Sequence, residues 1–323
     1  MNKEAAMQND RKKLVSICVP CFNEVDNVEP MAAAIKEQMD TLPQYDYEII
    51  FIDNHSNDGT RDKISKVCSE NEKIKAIFNI RNFGQFNSPY YALCQARGDC
   101  AISLSCDFQD PPYLIPKMLE LWEAGYGVVC PVKTDSEESK IIYLLRSCYY
   151  KIIQRMSSVN QIEHFTGFGL YGRKLLDVMK ALKDPTPFLR GVVAELGPAD
   201  RAIVPYHQEK RRTGKTHNNF WSLYDAAMLS FTSYTKAPLR IATITGFVTG
   251  IVAILIALMY LILKLTNWSA WPIGSTPTLL AVLVLGSIQL MFIGLLGEYV
   301  LAINARTMQR PLVVEEKRLG NWE

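Results

Sequence analysis

The chain has 323 residues, 48% of them hydrophobic, and a formal net charge of +2, enough for one large domain with an accessory part. That charge says little by itself, and no nucleic-acid partner is expected. The apolar residues crowd towards the C-terminus, so the last third needs a reading separate from the rest.

Residues 1–13 are polar and charged, without the apolar stretch of a secretory signal. Residues 14–19 form a short apolar run stopped by Pro20, which predicts a first strand. Val28, Met31, Ile35 and Met39 recur at helical spacing over 27–39. A second strand over 47–52 runs into the polar turn Asp53-Asn54-His55-Ser56-Asn57-Asp58-Gly59-Thr60, which opens another helix. A third strand over 74–78 precedes Arg81-Asn82-Phe83-Gly84, and a helix through Tyr91 leads to a strand over 100–104. This alternation predicts an α/β fold, a mainly parallel sheet with helices on both faces. Every strand ends in polar residues. Pro20 to Glu24, Asp53 and Asp107 are therefore expected side by side along one sheet edge, where open α/β sheets bind ligands.

The richest run is Ser103-Leu104-Ser105-Cys106-Asp107-Phe108-Gln109-Asp110-Pro111-Pro112. Asp107, Gln109 and Asp110 offer hard oxygens suited to Mg²⁺ or Mn²⁺ holding a substrate's phosphates, although Asp-Pro is also ordinary turn chemistry. Gly167-Phe168-Gly169-Leu170-Tyr171-Gly172 has GxGxxG spacing but lies mid-chain, away from a first strand, and reads as a structural turn or else as a glycine-lined backbone approach to a sugar. The eight cysteines (Cys18, Cys21, Cys68, Cys94, Cys100, Cys106, Cys130 and Cys148) read as small core residues. Cys18-Val19-Pro20-Cys21 lacks a second pair or histidines for zinc.

Residues 139–158 set Lys140, Arg146, Lys151 and Arg155 among Ile141, Leu144, Leu145, Tyr149 and Ile152, as a membrane-surface helix or as a solvated face over core packing. The run Arg211-Arg212-Thr213-Gly214-Lys215-Thr216-His217 suits a loop closing over phosphates, or an ordinary surface loop. Residues 220–234 read as a further helix leading into an uncharged span over 241–263. A second span, 279–297, is interrupted only by Gln289. Both are long enough to cross a bilayer, and Trp268 and Trp271 between them suit its interface. Lys236 and Arg240 precede the pair, Arg306, Arg310, Lys317 and Arg318 follow it, and the hairpin carries only Lys264. The positive-inside rule then makes both flanks cytoplasmic at an inner (plasma) membrane. Gly246, Gly250, Gly286 and Gly294 offer small-residue faces for pairing into a homo-oligomer. The expected divisions are a tail (1–13), a catalytic domain (14–218), a juxtamembrane helix (219–238), a two-helix hairpin (239–303) and a cytoplasmic tail (304–323).

In order, Val19-Pro20-Cys21-Phe22-Asn23-Glu24, Asp53 to Thr60, Arg81-Asn82-Phe83-Gly84, Asp107 to Pro112, Phe188-Leu189-Arg190-Gly191 and the Arg211 loop resemble the inverting family 2 glycosyltransferases of GT-A fold. The subgroup most resembled is the polyprenyl-phosphate glycosyltransferases, relatives of dolichyl-phosphate mannose synthase. The resemblance implies transfer of a sugar from a nucleotide-sugar donor, a UDP-hexose, to a polyprenyl phosphate such as undecaprenyl phosphate, in cell-envelope glycan synthesis. It gives Pro20, Phe22 and Glu24 to the nucleoside and Asp53 to the base. Asn54, Arg81, Gly84, Ser105, Arg212 and His217 join the nucleotide-sugar site. Asp107 and Gln109 match a metal-binding pair for Mg²⁺ or Mn²⁺, and Arg211 matches an arginine on the donor pyrophosphate. Lys133, Arg146 and Arg190 are the acceptor-phosphate candidates; Asp110 and Glu195 are the candidate bases. The chain departs from the family at Ser105, where the first aspartate of DxD is expected. It departs again at Asn54-His55, within the usual DDGS turn, and at Thr216-His217-Asn218, for Ser-Lys-Tyr. Two other readings stand beside this one: transfer to a saccharide hydroxyl, and an inactive membrane-anchored scaffold that binds sugar nucleotides.

Overall fold

The computed structural model describes residues 11–135, 162–209, 211–212, 220–235, 237–266 and 275–322. It separates into two compact units. One comprises residues 1–148, 159–219 and 308–323, the other 149–158 and 220–307.

The first unit is built on an eight-stranded sheet of order β7-β5-β6-β4-β1-β2-β3-β8. Its strands are β1 (Lys13–Cys21), β2 (Tyr45–Asp53), β3 (Ile74–Asn79), β4 (Cys100–Ser103), β5 (Val128–Asp135), β6 (Gly169–Gly172), β7 (Ala202–His207) and β8 (Glu315–Leu319). Between them run α1 (Val28–Asp40), α2 (Thr60–Glu70), α3 (Gly84–Gln95), α4 (Ile115–Glu123), α5 (Arg173–Leu182) and α6 (Leu189–Leu196). Neighbours β4-β1-β2-β3 are parallel, as their continuous apolar sequences require when helices cover both faces. Ile49 and Phe51 belong to the core on one face; Ile50 and Ile52 belong to the other. Cys18 and Cys21 fall on opposite faces for the same reason, so this CxxC cannot close on one metal.

The glycine-rich segment differs from expectation. Gly169–Gly172 is not a turn but β6, antiparallel to both β4 and β5 in mid-sheet. A Cβ on Gly169 would lie 2.5 Å from the Val129 carbonyl oxygen, so glycine is needed for close strand approach. The two outer strands are protected differently. β7 alternates buried and exposed residues and carries Pro205, which cannot donate to a further strand. β8 is Glu-Glu-Lys-Arg-Leu. It belongs to the stretch read as a tail, yet it pairs antiparallel with β3. The chain thus leaves the sheet after β7 and returns to its other side after residue 307.

The second unit holds α7 (Phe220–Tyr234), α8 (Ala237–Thr266) and α9 (Ser275–Thr307). Both α8 and α9 are long and apolar enough to cross a bilayer. Phe247 and Leu290 are each 71% exposed, so these are not the core helices of a water-soluble domain. Tyr299 donates to the Thr235 carbonyl at 2.8 Å and Arg306 to Ser233 at 2.9 Å, tying the end of α9 to α7. The helix expected over 139–158, residues 1–10, and Trp268 and Trp271 lie outside the described residues.

Candidate active site

The carboxyl ends of β1, β2, β3, β4, β5 and β7 share one edge of the sheet, since β5 and β6 reverse direction twice relative to β4. The predicted gathering of strand ends is therefore real, and hydrogen bonds lace their loops together. The Asn54 amide donates to Cys21 O, the Asn23 amide to Ser56 Oγ (2.9 Å), and the Glu24 amide to Thr60 Oγ1 (2.8 Å). Asn23, His55 and Phe108, one in each of three such loops, have positive φ (56°, 66° and 63°). Left-handed backbone in bulky residues is uncommon and clusters at functional sites.

Asp53 is wholly buried at the end of β2. Its carboxylate accepts from the amides of His55 (3.1 Å) and Ser56 (3.2 Å), and Arg61 Nε lies 3.4 Å away. Asn54 is a hub. Its Oδ1 accepts from the Phe83 amide (2.8 Å), Ser88 Oγ (2.9 Å) and Asn79 Nδ2 (3.3 Å); its Nδ2 donates to Asn82 Oδ1 (2.8 Å) and Gly84 O (3.2 Å). An aspartate could not make the last two bonds, which accounts physically for asparagine here. Asn54 thus shapes the Arg81–Gly84 turn, where Arg81 stacks on Phe83 and Gly84 takes φ 88°.

At the end of β4, the Gln109 amide donates to Asp107 Oδ1 (3.1 Å). Ser105 is bonded to a carboxylate of its own loop. Its hydroxyl and amide both bond Asp110 Oδ2, while Tyr206 Oη donates to Asp110 Oδ1 at 3.2 Å. Asp110 is buried, and both its oxygens are engaged in shaping the loop that carries Asp107. Arg211 bonds Glu24 Oε1 and lies 3.9 Å from Asp107 Oδ2, joining the β1 and β4 tips. Arg212 stacks on Phe108, 3.9 Å from the ring centre. Burial pushes the carboxyls of Glu24, Asp53 and Asp110 up; neighbouring Asp107 raises Glu24 and Asp110 further, against opposing hydrogen bonds. Three partly or wholly buried carboxyls thus gather at one edge, each with a basic side chain nearby that favours its charged form.

The remaining candidates are more scattered. Lys133, at the end of β5, donates to Gln208 Oε1 at 2.6 Å and lies close enough to Asp110 to stabilise its charge. Arg190 stacks on Phe188 and reaches the Phe165 carbonyl at 3.5 Å. Pro20 pairs with Ile52, and Phe22 is half-buried beside Glu24. Glu195 is exposed at the end of α6. Arg146 and His217 lie outside the described residues. Tyr206 and Arg61 escaped the sequence reading; only the inward position of Tyr206 in alternating β7 pointed towards the former.

Among the described residues no group of three His, Cys, Asp or Glu side chains could hold a metal unaided. Asp107 and Gln109 nevertheless fit Mg²⁺ or Mn²⁺, hard cations that take few protein ligands and complete their shell with waters and phosphates. The guanidinium between Glu24 and Asp107 marks where negative charge converges.

The family model described as glycosyl transferase family 2 matches residues 16–179. The chain is a family 2 glycosyltransferase. The prophage bactoprenol glucosyl transferase homolog of Escherichia coli (strain K12) is 30% identical to it over 298 residues, 92% of this chain and 96% of that one. The SfII prophage-derived bactoprenol glucosyl transferase of Shigella flexneri is 29% identical over 310 residues, 95% of this chain and 99% of its relative. Among solved structures, the Mycobacterium tuberculosis glucosyl-3-phosphoglycerate synthase, crystallised with Mn²⁺, UDP and glucosyl-3-phosphoglycerate, aligns with a TM-score of 0.45. It shares 17% identity, over 70% of this chain and 78% of that one. As an inverting glycosyltransferase, the protein reacts at the anomeric carbon by a single displacement that brings donor and acceptor together.

Proposed function

We propose that this glycosyltransferase moves a hexose from a UDP-sugar to the phosphate of a polyprenyl lipid at the cytoplasmic membrane face, for cell-envelope glycan synthesis or modification. The observation that carries this reading is the end-to-end match to bactoprenol glucosyl transferases, which spans 95% of this chain and includes both apolar helices. An acceptor phosphate tied to a long hydrocarbon chain requires a catalytic edge held at a bilayer. Helices α8 and α9, with basic residues on their outer flanks, provide that attachment. Small residues on α8 and α9 also favour a homo-oligomer.

In the reaction, an acceptor phosphate oxygen forms a bond to the anomeric carbon as the bond to the nucleoside diphosphate breaks. A phosphate is already ionised near neutral pH, so no side chain has to remove a proton. Asp110, committed to Ser105 and Tyr206, accordingly serves as a support for the Asp107 loop. The Asp53 and Asn54 loops line the nucleoside end, Arg211 turns to the diphosphate, and Lys133 offers the acceptor phosphate a cation. A divalent cation bound by Asp107 and Gln109 would neutralise charge on the leaving diphosphate.

The test is mass spectrometry of lipid products made from undecaprenyl phosphate, Mn²⁺ and a panel of UDP-sugars. One hexose should be added to the lipid phosphate, and Asp107→Ala should abolish it. Donor binding without any lipid product, or product bonded to a saccharide hydroxyl, would refute the reading.

A further inference from the structure

The last strand lies beyond the second apolar helix, yet it runs beside the donor edge. Phe78 pairs with Lys317 and Asn79 with Glu315. The Ile80 amide donates to Val314 O at 3.1 Å, Asn87 Nδ2 to Leu312 O at 3.2 Å, and Tyr91 Oη to Glu315 Oε1 at 2.7 Å. Residues 312–319 are therefore fastened along β3, the following turn and α3. Between these attachments, Glu316 Oε2 takes a 2.6 Å bond from Arg61 Nη2. The same guanidinium lies 5.1 Å from the Phe78 ring centre and puts its Nε 3.4 Å from Asp53 Oδ2. That Nε is buried and makes no hydrogen bond, so the aromatic ring and the two carboxylates hold the arginine.

We propose that Glu316 is a positioning residue for the donor nucleoside, acting through Arg61 on Asp53, so that β8 is part of the donor site. The inference rests on the reading above that the Asp53 loop receives the nucleoside. Asp53 is an uncomfortable carboxylate: burial raises it, and the Ser56 bonds, Arg61 and the His55 bond oppose this. Released from Glu316, the Arg61 side chain would regain rotamer freedom and reach towards water. Asp53 would then lose part of its compensation, and with it the hold on the His55 amide. His55, at φ 66°, stays in its unfavourable conformation because the surrounding bonds keep it there. Glu316 lies nine residues beyond the end of α9, and its action is indirect, through one arginine.

Calorimetric titration of the full-length protein in detergent with UDP and with inorganic pyrophosphate, both in Mn²⁺, tests this. Glu316→Gln should weaken UDP about fivefold, the upper end for a half-exposed ion pair, and leave pyrophosphate unchanged, because pyrophosphate does not use the nucleoside end. Glu316→Asp should recover part of the loss. Hydrogen exchange at the His55 and Ser56 amides should quicken in Glu316→Gln while the melting temperature holds. Unchanged UDP affinity, or equal weakening of UDP and pyrophosphate, would overturn the proposal. Failure of the wild type to bind UDP would instead remove the donor reading beneath it. Unchanged exchange at residues 55 and 56 would overturn the Glu316 relay whether or not nucleotide binds.

Discussion

On the function proposed above, Arg211 occupies ground that a divalent cation would need. Its guanidinium bonds Glu24 and lies 3.9 Å from Asp107, a charge pair worth roughly 4 kcal/mol at an effective dielectric of about 20. Both side chains reach solvent, so most of that attraction is screened, and a net hold of about 1–2 kcal/mol is the appropriate figure. A metal binding without nucleotide must displace or tolerate this cation. Replacing Arg211 with glutamine should therefore strengthen nucleotide-free Mn²⁺ binding by about tenfold, which is 1.4 kcal/mol. With UDP present the order should invert, because the arginine would then turn to phosphate and its loss would weaken the ternary complex. Electron paramagnetic resonance of free Mn²⁺, titrated with protein with and without UDP, reads both effects. Equal or weaker Mn²⁺ binding by nucleotide-free Arg211→Gln would refute the idea that the arginine stands in for the metal. Asp107→Asn should bind Mn²⁺ poorly in either condition.

Asn54→Ala should lower stability by about 2–3 kcal/mol, since the Phe83 amide and its neighbours lose a buried partner; urea unfolding measures this, and UDP binding should weaken in parallel. Asp110→Asn should lower stability by about 1–3 kcal/mol without changing the shape of the pH–rate profile; loss of the acid limb, where a catalytic carboxylate is protonated, would restore Asp110 as a base. On the opposite edge of the sheet, buried Glu48 takes bonds from Ser16, the Arg97 amide and Lys75. Glu48→Gln should cost about 3–5 kcal/mol by stranding the Lys75 charge, with UDP affinity of the folded protein unchanged. Burial raises Glu48, but these bonds outweigh it and lower its pKa overall. Its stabilisation is therefore present above the ordinary carboxylate range and disappears as pH falls through the lowered value; acid unfolding of wild type and Glu48→Gln should converge there.

Much of the fold was legible because β1 to β4 carry uninterrupted apolar runs ended by polar turns, and parallel strands buried on both faces have no other pattern. The gathering of Glu24, Asp53 and Asp107 followed from strand direction alone. What escaped depends on distant pairing. Gly169–Gly172 has turn-like composition, and only the closeness of β5 explains the glycines in a strand. Glu315–Leu319 is short and mostly charged, so its sequence resembles a solvated tail; its strand character comes from the open side of β3. The bonding of Asp110 was hidden for a similar reason. Its partner Tyr206 lies 96 residues away, and nothing local shows that both carboxylate oxygens are occupied. A truncation after Lys236 shows the practical cost, because it removes β8 together with the apolar helices.

The stretch between β7 and β8 begins and ends in the same sheet. Any excursion of that kind through a bilayer obeys a parity rule: it must make an even number of passages, or β8 would be stranded on the far side. Helices can therefore be gained or shed there only as pairs, and a lone added span would announce itself by the failure of the sheet to close.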